Sequence, residues 1–179
     1  MGRRPFVRER ILEAAFDLVA RRGFEAVSSR QIASAAGVGP ASMYRHFASM
    51  EALGEELYRV ALAPLAADLD ALLARGLRSA ALLAELVALV YGWYDRRPRA
   101  LALLVFPPHD FTPAELAPDD PTTIRNRAIA GLAVDEDTGA LLWGALTGPL
   151  LDRYLRRRQG AMSPLAVAHA TRLRRLLAT

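Results

Sequence analysis

Ala41, Ser42, Arg45 and His46 fall on one arc of a short helical stretch when successive residues are spaced at 100°, and Met43 and Phe47 fall together on the opposite arc. An arc of that make-up suits the edges of base pairs in a DNA major groove. Ala41 and Ser42 are small enough to let the backbone close in, and Arg45 and His46 supply longer reach. Tyr44 sits at the flank, where its hydroxyl can meet a phosphate. Upstream, Ser28 or Ser29 is placed to cap a stretch running from Arg30 to Ala36, and Gly37 ends it. Pro40 fits the first turn of the next stretch, which reaches about Phe47. Helix, glycine turn, helix is the helix-turn-helix layout, whose second helix enters the major groove. A helical hairpin that never touches DNA shares the same layout, so spacing alone leaves both readings open.

Other chemistry is poorly supplied. The three histidines (His46, His109 and His169) are too far apart for a metal motif, and no cysteine is present. Gly37–Val38–Gly39 opens no dinucleotide fingerprint, because Ser42 occupies the third glycine position. A phosphate loop needs lysine, and the chain has none. No catalytic residue, metal or cofactor is expected, and an enzyme is not the reading. A weaker constellation is aromatic. Tyr91, Trp93 and Tyr94 end one helix, Phe106 and His109 flank a proline-rich stretch, and Trp143 with Thr147 lies on the penultimate helix. Together they are expected to line a cavity with few polar anchors for a small-molecule effector, although each alone equally suits core packing. Arg125 and Arg127 follow the proline-rich stretch, placed either to meet an anionic ligand or to solvate a helix face.

The elements that must position these residues are helical. The 179 residues include 34 Ala and 29 Leu, both strong helix formers, and 53% of the chain is hydrophobic. This composition predicts an all-α fold with a substantial core. All 23 basic residues are arginine. Residues 1–47 carry eight of them against four acids, so the whole formal surplus of +4 sits in the first quarter and the remainder is neutral. A basic end on a neutral body fits a polyanion-facing module joined to something else. No long uncharged apolar run occurs, so a cytoplasmic location without membrane insertion is expected.

Along the chain, a first helix is predicted from about Pro5 to Arg22, with Ile11, Ala14, Ala15 and Leu18 as its apolar stripe and Gly23 as its stop. Ser49 is placed to cap a fourth helix. Beyond Met50 the helical pattern is expected to break at Pro64, Gly76 and Pro98, and five prolines between Pro107 and Pro121 mark an irregular stretch. Two last helices are predicted over Asp135–Arg158 and Pro164–Leu177, the first kinked or interrupted at Pro149. Gly144 and Gly148 stand four apart beside Ala140, Leu141 and Ala145. This small-residue face suits the close approach of a second copy, a homodimer; packing within one chain is the alternative.

The stretch ILEAAFDLVARRGFEAVSSRQIASAAGVGPASMYRHFASMEAL resembles the N-terminal module of TetR-like (tetracycline-repressor family) transcriptional regulators over roughly residues 8–58. The signatures I-x-x-A-A, R-R-G-F-E, I-A-x-A-A-G-V and Y-R-H-F ahead of S-x-E-A-L occur in order without a gap. The resemblance implies a helix-turn-helix DNA-binding domain over residues 1–48 and a helical ligand-binding and dimerisation domain over 49–179. It implies DNA contacts by Ser29, Arg30, Pro40, Ala41, Ser42, Tyr44 and His46, to which the arc reading adds Arg45. It also implies a homodimer whose four-helix interface would include Gly144 and Gly148, a pseudo-palindromic double-stranded operator, and repression relieved by a small molecule. Met50 departs from the pattern, which usually has a phosphate-touching lysine there; the arm carrying Arg3, Arg4 and Arg8 is the expected compensation. A helical adaptor without sequence-specific DNA binding is the rival reading, and it does not need the basic first quarter.

Overall fold

The computed structural model describes residues 6–24, 26–105, 123–156 and 160–177, and every regular element among them is helical. The order is α1 (Val7–Arg22), α2 (Ser29–Ala35), α3 (Pro40–His46), α4 (Met50–Leu73), α5 (Ser79–Arg96), α6 (Pro98–Val105), α7 (Ile124–Leu132), α8 (Glu136–Leu155) and α9 (Ala166–Leu173). Short 3₁₀ turns, Ser163–Leu165 and Arg174–Leu177, flank α9. The proline-rich stretch, with Phe106 and His109, lies outside the described residues.

Local chemistry sets the boundaries of the first three helices. The Ser28 hydroxyl accepts the Gln31 N–H at 3.3 Å, and Gln31 Oε1 accepts the Ser28 N–H at 2.9 Å, a reciprocal cap on α2. Gly37 takes φ +64, a left-handed turn that costs glycine little, and the Val38 N–H returns to the Ala33 carbonyl at 2.9 Å. Pro40 then starts α3. Ser49 caps α4 through the Ala52 N–H at 3.1 Å.

Two apolar clusters organise the chain. The first joins Ile11, Ala15 and Val19 of α1 to Ile32 and Ala33 of α2, Met43 of α3, Phe47, and Leu53 and Leu57 of α4. The second holds the rest of α4 together with α5 to α9. In that second cluster α5 is the central helix, packed against α4, α6, α7, α8 and α9. Its C-terminal end is fixed by Asp95, whose carboxylate accepts the N–H groups of Met162 at 2.6 Å and Ser163 at 2.8 Å. Burial pushes this carboxyl up, but those two N–H groups, the Ser163 hydroxyl and the nearby Arg153 outweigh it and hold it below its ordinary value. Asp95 thereby pins the turn that starts α9.

The prolines behave differently from expectation. Pro64 does not break the helix it sits in: α4 runs from Met50 to Leu73 with Pro64 inside. An internal proline costs about 3 kcal/mol, but Leu57, Leu65, Leu69 and Leu72 are buried on either side of it, and each buried leucine contributes about 1.5–3 kcal/mol. Likewise α8 continues through Pro149, with Leu146 and Leu150 buried around it. Gly76, at φ +67, and Pro98, which opens α6, do mark boundaries.

Candidate nucleic-acid interface

Met43 is fully buried and Phe47 is 4% exposed, so α3 is anchored to the first cluster by the pair its spacing predicted. The opposite arc is open. Arg30, Pro40, Ala41, Tyr44, Arg45 and His46 are exposed, and Ser29 and Ser42 are half-buried. Tyr44, a large aromatic with a polar hydroxyl, is left 49% exposed on this face. The face therefore combines a phenol, an imidazole and a guanidinium with small residues that keep the backbone near the surface.

A residue not singled out from the sequence holds this face in place. Arg10, on α1, reaches across the glycine turn and donates through Nη2 to the Ala36 carbonyl and, at 3.1 Å, to the Gly37 carbonyl. A Cβ built on Gly37 would meet Arg10 Nη2 at 2.8 Å, so a larger residue would displace the guanidinium, and φ favours glycine there independently. Nothing in the sequence set Arg10 apart, because α1 also carries Arg8, Glu9, Glu13, Asp17, Arg21 and Arg22.

Arg8, expected in a DNA arm, is engaged within the chain. It pairs with Glu56 of α4 at 2.7 Å and lies over the Phe47 ring at 5.1 Å, tying α1 to α4. Its position within the helical part of α1 fixes it there, whereas Arg3 and Arg4 lie outside the described residues. Met50 packs against the first apolar cluster, which is a thioether's role in place of a phosphate contact.

The aromatic residues expected to share one cavity turn to different neighbours. Tyr91 is fully buried, and its hydroxyl shares a 2.6 Å hydrogen bond with His169 Nδ1 of α9. Burial pushes the Tyr91 phenol up to about 12. Trp93 donates from its indole to Asp68 of α4 at 2.7 Å, and Tyr94 is buried beside it in the chain. Thr147 donates to the Trp143 carbonyl at 2.8 Å, one turn back on α8. Trp143 instead lines a narrow crevice with Val90, Ile129 and Gly139, about 20 Å³ in volume, room for little more than a water. On α5, Trp93 points away from Tyr91 and Tyr94, which are three apart and share a side of the helix, so proximity in sequence did not become one shared wall. Arg127 pairs with Asp70 of α4, and Arg125 donates to Asn126 Oδ1 at 2.7 Å.

Gly144 and Gly148 face outward on α8, and a Cβ at either would meet nothing within 4 Å. By contrast, a Cβ on Gly139 would strike the Ile129 side chain at 2.4 Å, so that glycine is the one packed inside the chain. Around the two outward glycines, Leu141 and Leu155 are 66% and 68% exposed, and Val167 on α9 is 79% exposed. Among the described residues no helix is long and apolar enough to cross a membrane, and no group of three or more potential metal ligands is found.

Residues 11–57 match the family model for bacterial regulatory proteins of the tetR family. The chain is 38% identical over 96 residues to the HTH-type transcriptional repressor KstR2 of Rhodococcus jostii, covering 54% of this chain and 47% of that protein. It is 43% identical over 51 residues to an HTH-type transcriptional regulator of Haemophilus influenzae, covering 28% and 25% respectively. The chain thus spans about half the length of the first of these relatives and a quarter of the second. In fold it is similar to the fatty acid degradation regulator FadR of Bacillus halodurans, with a TM-score of 0.74 at 15% identity over 93% of this chain and 97% of that one. FadR of Bacillus subtilis, determined in complex with stearoyl-CoA, gives 0.73 at 12% identity over 92% and 96%.

Proposed function

From a TetR-like DNA-binding module at its N-terminus, we propose that this chain is a transcriptional repressor that binds a double-stranded operator as a homodimer and leaves it when a small molecule binds. It acts in the cytoplasm, by binding and not by catalysis. The observation that carries the reading is the α3 face. Met43 and Phe47 are buried behind exposed Ala41, Tyr44, Arg45 and His46 and a half-buried Ser42, which fits a recognition helix with its backbone free to enter a major groove. Ser29, Arg30 and Pro40 extend that contact surface. Arg45 and His46 read base edges, and Tyr44 meets a phosphate.

The division of labour falls near residue 48, with residues 1–48 as the DNA-binding domain and 49–179 as the effector and dimer domain. The first turns of α4 belong to both, because Leu53 and Leu57 complete the core of the head. The dimer face is α8 with α9, centred on Gly144 and Gly148. Open space over both glycines and exposed leucine and valine around them support an intermolecular contact. Two-fold pairing would set two recognition helices about 34 Å apart, one turn of DNA, and so select a pseudo-palindrome.

The test is selection of bound fragments from genomic DNA with the purified chain, then salt titration on the recovered site. A pseudo-palindromic site with a steep negative salt slope is expected. Tyr44→Phe should weaken binding to every recovered sequence about equally and leave the salt slope unchanged, because it removes a neutral hydroxyl and no charge. Recovery of no enriched sequence would leave the adaptor reading standing.

A further inference from the structure

The groove at the junction of the two lobes, and not the narrow crevice beside Trp143, has the volume and the charge for a small molecule. Head and body meet where α1 and α4 face the end of α5 and the start of α6, around a groove of about 630 Å³. Ligand clefts fall at roughly 300–1,000 Å³. Phe16 of α1, Val60 of α4 and Pro98 of α6 give it an apolar floor, and Val60 is left 53% exposed. Arg96, Arg97 and Arg99 line it as well, with Asp17 as its single acid. That acid is already taken. Asp17 accepts from Arg21 on its own helix and from Arg99 at 3.0 Å across the junction. Among the described residues neither Arg96 nor Arg97 forms an ion pair; both lie against the Trp93 ring, at 6.0 and 5.2 Å. The groove thus combines apolar wall with three arginines against one acid. Phe16, Asp17 and Val60 also line a second groove, about 570 Å³, that continues between α1, α2 and α4, so an aliphatic chain has apolar wall to follow.

We propose that this junction groove is a binding site for a small amphipathic anion, an aliphatic chain ending in a carboxylate or phosphate, whose headgroup draws Arg99 away from Asp17 and so unties the head from α6. Arg96 and Arg97 supply the charge that holds the headgroup, and Val60 marks the path of the chain. Asp17 keeps Arg21 when Arg99 leaves, so the exchange strands no charge. The consequence for DNA rests on the repressor reading; the site itself does not.

Isothermal titration calorimetry of the full chain with decanoate, decyl phosphate and n-decanol tests it. Saturable binding of at least one anion is expected, with n-decanol at least tenfold weaker, and the tighter anion identifies the headgroup. Arg97→Gln and Val60→Glu, both at exposed positions, should each weaken the anion about tenfold with an unchanged thermal melt. The proposal is overturned if neither anion binds, if n-decanol binds as tightly, or if Val60→Glu binds like the parent chain. Operator binding measured separately keeps the two readings apart. A chain that binds operator but no anion sinks the groove alone. A chain that binds the anion but no operator sinks the repressor reading and leaves the groove intact.

Discussion

Arg10 carries more of the DNA-binding face than its place in the sequence suggests. Its guanidinium satisfies two carbonyls, Ala36 and Gly37, at the turn that sets the angle between α2 and α3. Arg10→Met keeps the aliphatic stem and removes the donors, leaving both carbonyls dependent on water. A loss of about 1–2 kcal/mol in denaturant unfolding is expected, together with weaker operator binding through a displaced turn. An unchanged unfolding midpoint would deny it the clamp role. At this scale the sequence was readable where periodicity alone decides orientation: Met43 inward, Arg45 and His46 outward. It was unreadable where a long side chain chooses between partners. Arg8 could equally have been a DNA arm or a tie to α4, and only the position of Glu56 on a helix 48 residues later decides it.

Helices gain their places in this fold from a few polar pins as much as from leucine. The contact between α5 and α9 is held at one end by Asp95 and along its length by the Tyr91–His169 hydrogen bond, with the two rings edge-on at 5.5 Å. Burial first, and then the charge of Arg172, hold the His169 imidazole below its usual 6.5. Folding therefore opposes its protonation. The unfolded chain binds more protons as pH falls through about 6.5, so stability is full above that pH and declines below it. Tyr91 acts at the other extreme: its raised pKa means that stability is lost above about pH 10, where the unfolded chain's phenol ionises first. Thermal melts at pH 5 and pH 7.5 should differ, and His169→Gln should narrow that difference; an equal gap in the variant would remove the histidine from the account. None of these pins was visible in a chain whose last two-thirds is alanine and leucine on most faces. An apolar pattern that is nearly continuous says that helices form, but not which face meets which neighbour. The same uniformity made Pro64 and Pro149 look like breaks, when dense burial on both sides carries each helix across.

For the whole molecule, the proposed dimer face is testable at the outward glycines of α8. Replacing Gly144 and Gly148 with leucine places bulk in space that one chain leaves empty. The lone chain should fold normally, while light scattering should report monomers and operator affinity should fall steeply. A variant that remains dimeric would move the interface off α8. Legibility followed charge and periodicity here too: the head could be recognised because its basic surplus and its turn residues occur at fixed spacing, whereas the effector site depends on helices far apart in sequence. The long rod of α4 adds a mechanical consequence. Its 24 residues extend about 36 Å at 1.5 Å per residue, with one end built into the head through Leu53 and Leu57 and the other into the body through Leu69 and Leu72. Pro64, which can donate no N–H to the ladder, leaves the rod one bond short near its midpoint. A lever of that length multiplies angle into distance: a tilt of about 5° about the centre carries each end about 1.6 Å. In a two-fold pair the errors add, so the gap between recognition helices changes by about 3 Å, nearly the rise of one base pair along the DNA axis.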